Sequence, residues 1–156
     1  MRCYIWGTNN LENRDQPGNG ILSFAIPDLG IQYRAAHRAT ASECEYLAIL
    51  ALLNFVSNNP KIFTHQKLDI YTDAVLPVYQ VNKKAPVPTS VERYCRIIHR
   101  FRATHQLALG WVPKEQNMAY TGVLDLPPLK TQTKIALGIP DQPAVLSKDA
   151  QSNLKF

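Results

Sequence analysis

The sequence predicts an α/β domain, a mixed sheet covered by helices, and three observations predict it. The chain through Arg38 reads as three strands in succession. At Thr40 the apolar period changes from that of a strand to that of a helix. From there to Val112, strand-like and helix-like segments follow one another. A length of 156 residues, 46% of them hydrophobic, supplies one core and is too short for two comfortable domains.

Arg2 to Trp6 is rich in aromatic and branched residues, which suits a strand. Gly7 to Asn19 is a polar loop with turn residues at Asn9-Asn10 and Pro17-Gly18. Gly20 to Pro27 reads as a second strand. The turn Asp28-Leu29-Gly30 leads into a third, antiparallel to it, from Ile31 to Arg38. Thr40-Ala41-Ser42-Glu43 offers an N-cap hydroxyl with Glu three residues on, so a helix is expected from there to about Val56, stopped by Asn58-Asn59-Pro60. Leu68 to Thr72 is the fourth strand, and Ala74 to Val81 a short helix despite Pro77. After Ala85-Pro86-Val87-Pro88, a cap at Thr89 or Ser90 opens a helix to about Arg102, and Gln106 to Val112 is the fifth strand.

The longest apolar run, Tyr46 to Leu53, falls far short of the roughly 20 residues that span a bilayer, so no membrane association is expected. The N-terminus passes at once into Gly, Asn and charged residues and lacks the pattern of a signal peptide, so a cytoplasmic protein is the default expectation. Cys3, Cys44 and Cys95 are odd in number and widely spaced, which fits buried thiols better than a disulfide framework or a zinc knuckle. A net charge of +5 favours an anionic partner. The distribution sharpens this, because Lys83, Lys84, Arg93, Arg96, Arg100 and Arg102 gather in one stretch of the chain.

Four local patterns carry a family resemblance. They are Gly7-Thr8 after the first strand; Glu45-Tyr46-Leu47-Ala48 in the first helix; Tyr71-Thr72-Asp73 at the end of the fourth strand; and Trp111-Val112-Pro113-Lys114-Glu115-Gln116-Asn117-Met118-Ala119 after the fifth. In this order and spacing the chain resembles type 1 ribonuclease H, particularly its reverse-transcriptase-like branch. The resemblance implies a ribonuclease H-like fold over residues 1–120: a five-stranded mixed sheet of three antiparallel strands followed by parallel strands, flanked by helices. Residues 121–156 are then a Pro-containing extension and tail. The family's final helix would begin near Tyr120, where Gly122, Pro127 and Pro128 leave little room for it.

The resemblance also implies a chemistry. The family's carboxylates hold two divalent ions about 4 Å apart, one activating water and one stabilising the leaving oxygen of a phosphodiester. Carried over position by position, Glu45 and Asp73 match two of the four acidic positions. The bridging first position is Trp6, and the fourth is Tyr120. A neutral indole cannot replace a bridging carboxylate, and a phenol with an ordinary pKa near 10 is a poor ligand at neutral pH. Other acids offer little rescue. Glu12 or Asp15 could reach the site only if the loop after the first strand folded back. Asp125 is turned about 140° from Tyr120 on a helix, Glu43 lies nearly opposite Glu45, and Asp69 is about 13 Å from Asp73 along an extended strand.

Each retained residue also has a purely structural reading. Glu45 could form a capping box with Ser42, and Asp73 could cap the short helix that follows it. Asn117 is expected to fix the loop after the fifth strand. Trp6 is expected to fill core, although an exposed indole could stack a base. His65, His99 and His105 show no ligand spacing.

On the helix from Ser90 to Arg102, Val91, Tyr94, Cys95, Ile98 and Phe101 form one face, and Arg93, Arg96 and Arg100 another. A solvated face is one reading and a phosphate-binding ridge, with Lys83 and Lys84 beside it, the other. The expectation is therefore a protein with no working metal site, which binds RNA-DNA hybrid, duplex or structured RNA through this helix without reading bases. No cofactor is expected, with Mg²⁺ or Mn²⁺ at Glu45 and Asp73 only if residual metal binding survives. The alternatives are a protein-interaction scaffold that docks a partner through residues 121–156, and an active hydrolase using a non-standard carboxylate set.

Overall fold

The structure, a computed structural model, describes residues 1–121. The strands are β1 (Arg2–Thr8), β2 (Gly18–Ile26), β3 (Ile31–Ala39), β4 (Leu68–Thr72) and β5 (Leu107–Trp111). The helices are α1 (Ala41–Asn58), α2 (Pro60–Phe63), α3 (Val75–Val81), α4 (Thr89–Arg102) and the single turn α5 (Met118–Thr121), with 3₁₀ turns at Pro27–Leu29 and Lys114–Gln116. The sheet order is β3-β2-β1-β4-β5. β1 to β3 form the expected antiparallel meander, and β4 and β5 run parallel to β1. Among the described residues no helix is long and apolar enough to cross a membrane.

α1 starts where the sequence places it, because Thr40 Oγ1 accepts from the Glu43 amide while the Glu43 carboxylate accepts from the Thr40 amide. Its apolar residues are buried on almost every side, since it packs on β1 and β2 with one flank and on α4 with the other. α4 is amphipathic: Val91, Tyr94, Cys95 and Ile98 are buried while Glu92, Arg93, Arg96 and Arg100 face water. Leu47, Leu50, Phe24, Phe55 and Ile70 belong to one continuous core beneath these layers. All three cysteines are free and buried, and burial pushes the Cys3 and Cys44 thiols up to about 12.

Several elements depart from the expected ones, and β2, for one, starts at Gly18 rather than Gly20. Pro60 does not merely stop α1; it starts α2, because a proline lacks only an N–H that a first helical turn leaves unused. β1 continues past Trp6 to Thr8, since Gly7 and Thr8 still pair with Leu22 and Ile21 of β2. Gly7 is required there. A Cβ at this position would run into the Cys44 carbonyl and come within 2.9 Å of the Glu45 nitrogen, so only glycine lets the first turn of α1 lie this close to β1. The extension expected at 121–156 lies, from residue 122 on, outside the described residues.

Candidate functional site

The parallel strands β1, β4 and β5 end together, and their registers determine what meets at that end. Tyr4 pairs with Tyr71, so Trp6, two residues further on, comes level with Asp73 just past β4. Thr72 pairs with Trp111 at the end of β5. Gly7 holds the start of α1 against β1 and thereby delivers Glu45 to the same place. The result is a cavity of about 390 Å³ whose walls include Trp6, Arg14, Glu45, Asp73, Leu76 and Lys114. A crevice outside the carboxyl ends of parallel strands is where sheets of this kind bind ligands.

Glu45 is buried, yet it caps nothing. The capping box belongs to Thr40 and Glu43, so the reading of Glu45 with Ser42 is corrected: its carboxylate accepts from the Arg14 guanidinium at 2.5 Å. Arg14 comes from the loop after β1, the loop considered as a source of a replacement acid. It supplies a cation instead. Burial raises the Glu45 carboxyl above its ordinary 4.5, the Arg14 hydrogen bond and charge oppose that rise, and the charge of Asp73 adds to it.

Asp73 does not cap α3 either. The N-cap residue is Ala74, with no side-chain cap, and Thr72 Oγ1 accepts from the Ala74 amide. Asp73 Oδ1 instead accepts from Asn117 Nδ2 at 2.6 Å. Asn117 is fully buried, donates also to the Ile5 carbonyl of β1 at 2.9 Å, and accepts from the Ala119 amide at 3.1 Å. The expectation that Asn117 fixes the loop after β5 therefore holds, with the added fact that it clamps that loop to both β1 and Asp73.

Trp6 and Tyr120 meet each other. Their ring centroids lie 5.1 Å apart, the Arg34 guanidinium sits 5.5 Å from the Trp6 ring, and the Lys114 ammonium sits 4.5 Å from the Tyr120 ring. Trp6 is 8% exposed and packs with Ala25 and Ala119, as expected of core filler. The donor set around the cavity is thus two carboxylates, one tied to a guanidinium and one to an amide, with an indole and a phenol beside them. Hard divalent ions bind several oxygen donors, mainly carboxylates and waters, and a guanidinium on Glu45 repels a cation. The residues do not fit a two-metal site. Among the described residues no group of three or more His, Cys, Asp or Glu is placed to hold a metal ion.

The basic residues lie apart from this cavity. Arg93 donates to the Tyr94 hydroxyl and lies 4.6 Å over its ring, Arg96 pairs with Glu92 at 3.1 Å, and Arg100, Lys83 and Lys84 are exposed. Burial, and after it the charges of Lys83 and Arg102, lower the His99 imidazole. Arg102 is structural: it donates to the Val81 and Leu107 carbonyls and the Asn82 side chain. Sequence reasoning missed Arg14 and the cationic flanks Arg34 and Lys114. The partners of Arg14 and Arg34, Glu45 and Trp6, lie far along the chain, so no local spacing announces them.

No family model and no curated protein matches this chain. Solved structures do. LC11-RNase H1, isolated from compost by a metagenomic approach, superposes with a TM-score of 0.68 at 17% identity, covering 78% of this chain and 90% of its own. The same protein in complex with an RNA/DNA hybrid gives 0.66 at 15% identity, covering 78% and 91%. RNase H1 from the halophilic archaeon Halobacterium salinarum gives 0.61 at 15% identity, covering 80% and 98%. These identities speak for architecture alone. The sheet order, the helices that flank it and these superpositions together establish that the chain has a ribonuclease H-like fold.

Proposed function

We propose that this chain is a ribonuclease H-like protein without hydrolytic activity, which binds nucleic acid through the solvent face of α4 and the adjoining Lys83 and Lys84. The observation that carries the first half is the Arg14 to Glu45 ion pair, beside an indole and a phenol where the family resemblance implies carboxylates. Arg14 meets the charge of Glu45 without a metal, and Asn117 meets Asp73, so neither carboxylate needs a divalent ion. The second half is supported by the exposed arginines of α4, by the net charge of +5, and by a fold neighbour solved with an RNA/DNA hybrid. Contacts from such a ridge go to phosphates and read shape rather than base identity.

Fluorescence anisotropy with a labelled RNA-DNA hybrid tests both halves. Binding is expected at low salt and should weaken steeply as salt rises. Changing Arg93, Arg96 and Arg100 together to Ala should lower the slope of log K against log salt by about two to three. Incubation with Mg²⁺ or Mn²⁺ should leave the hybrid intact. Cleavage that disappears in Asp73→Asn would establish an active enzyme and overturn the first half, and absence of binding to hybrid, duplex and single strands at low salt would overturn the second.

A further inference from the structure

The outward side of α3 is apolar. Val75, Leu76 and Tyr79 are 47%, 53% and 47% exposed, on a helix where charged residues would be ordinary. Beside it stands Trp111, at the end of the edge strand β5 and 51% exposed. Its indole N–H donates to the Asp73 carbonyl at 3.1 Å, two residues before α3 begins. The ring is thus tethered by one edge while half of its surface remains open to solvent. Trp6 is covered by Tyr120 and Arg34 and offers no open face for a base, whereas the Trp111 indole is open.

Both ends of this ridge carry lysines. At the far end the Lys84 amide donates to the Tyr79 carbonyl at 2.7 Å, and the Asn82 side chain donates to the Leu109 carbonyl at 3.1 Å, so the turn that carries Lys83 and Lys84 is tied to the end of α3, and Asn82 before it to β5. At the near end Leu76 shares the cavity wall with Lys114, which lies over the 40%-exposed Tyr120. α3 is about 10 Å long, so the lysines flank the exposed rings over the reach of a few nucleotides. A paired duplex keeps its base faces inside the stack and has nothing to offer an indole. An unpaired strand has both base faces for the rings and phosphates for the lysines, the combination that single-strand binding surfaces use.

We propose that the ridge formed by Trp111, Tyr79 and Leu76, flanked by Lys83, Lys84 and Lys114, binds a single-stranded nucleic-acid segment by stacking unpaired bases. This rests on the nucleic-acid reading above and extends it from phosphates to bases, with an overhang or loop adjoining a duplex on α4 as the natural ligand class.

The full chain titrated with short oligothymidylate, and separately with a hybrid duplex of the same length, tests it through tryptophan emission and anisotropy. Oligothymidylate should quench the Trp111 emission. Trp111→Ala should weaken oligothymidylate binding roughly tenfold and Tyr79→Ala several-fold, Trp111→Phe should keep most of the affinity, and all three should leave hybrid binding nearly unchanged. Because Tyr79→Ala acts on a different element, the test survives any folding defect in the Trp111 variants. Hybrid binding that persists while oligothymidylate neither binds nor quenches would overturn the stacking site and leave the function proposed above standing. Loss of binding to both would overturn both. An indole already shielded from acrylamide before any nucleic acid is added would mean that residues 122–156 or a second copy cover it, and would also overturn the site.

Discussion

Arg14 and Glu45 show how one ion pair changes what a cavity can do. The Glu45 carboxyl is buried at the foot of α1, and burial disfavours its charge; the guanidinium lowers that cost from 2.5 Å away. Because its folded pKa stands above the ordinary 4.5, Glu45 holds a proton more firmly in the folded chain than in the unfolded one. Its contribution to stability is therefore fully present below about 4.5 and is lost as pH rises through the folded value. Removing the guanidinium removes what holds that value down. In Arg14→Ala the Glu45 carboxyl should titrate at a higher pH than in the wild type, read directly from its ¹³C chemical shift. The variant should lose about 1 kcal/mol of stability at neutral pH, where a buried carboxylate is left without its partner, and less near pH 4, where the carboxyl is protonated. An unmoved titration would mean that the pair carries no electrostatic weight. Asn117 is the other fixed point, because one amide serves Ile5, Asp73 and Ala119. Asn117→Ala should cost about 2–4 kcal/mol in urea unfolding, since it leaves a buried carbonyl and amide without partners.

At the scale of the element, the site depends on how α1 approaches β1. Gly7 allows the approach and the Thr40–Glu43 capping box sets where the helix starts, so the two together place Glu45. Gly7→Ala should destabilise the fold by about 1–3 kcal/mol, because the obstructing atoms are backbone and cannot swing aside. Thr40→Ala should cost about 1 kcal/mol in the same urea titration, the usual loss for a helix N-cap, with little effect on the cavity itself. If Gly7→Ala proved neutral, α1 would have to sit further from the sheet than described. Most elements were legible in the sequence because their signals are local: alternation for β2, the Thr-x-x-Glu cap for α1, the amphipathic spacing of α4. α2, α5 and the two 3₁₀ turns were not, being a single turn each and too short to display a period.

For the whole molecule, the fold separates two surfaces. The cavity at the ends of β1, β4 and β5 is balanced between Arg14 and Lys114 on one side and Glu45 and Asp73 on the other, whereas Arg93, Arg96 and Arg100 face solvent on α4. The proposed binding face and the cavity are thus separable by mutation. Changing the three arginines to Ala should weaken hybrid binding and flatten its salt dependence while leaving the thermal midpoint close to that of the wild type, since exposed arginines and the exposed Arg96–Glu92 pair contribute little to stability. A large fall in the midpoint would instead assign that face to the core.

The order of strands and helices, the capping of α1, the amphipathic division of α4, and the presence of Glu45, Asp73, Trp6 and Tyr120 at four ordered positions are all legible along the chain. Periodicity, caps and motif spacing act over a few residues, so they can be read along a chain. What each of those four side chains touches emerges with the folded arrangement. Arg14 reaches a residue 31 positions away, Asn117 one 44 positions back, and Trp6 packs at a tilt against a ring at the far end of the described chain. Such partners are chosen by strand register and the close packing of α1 on β1, and neither leaves a mark on local sequence.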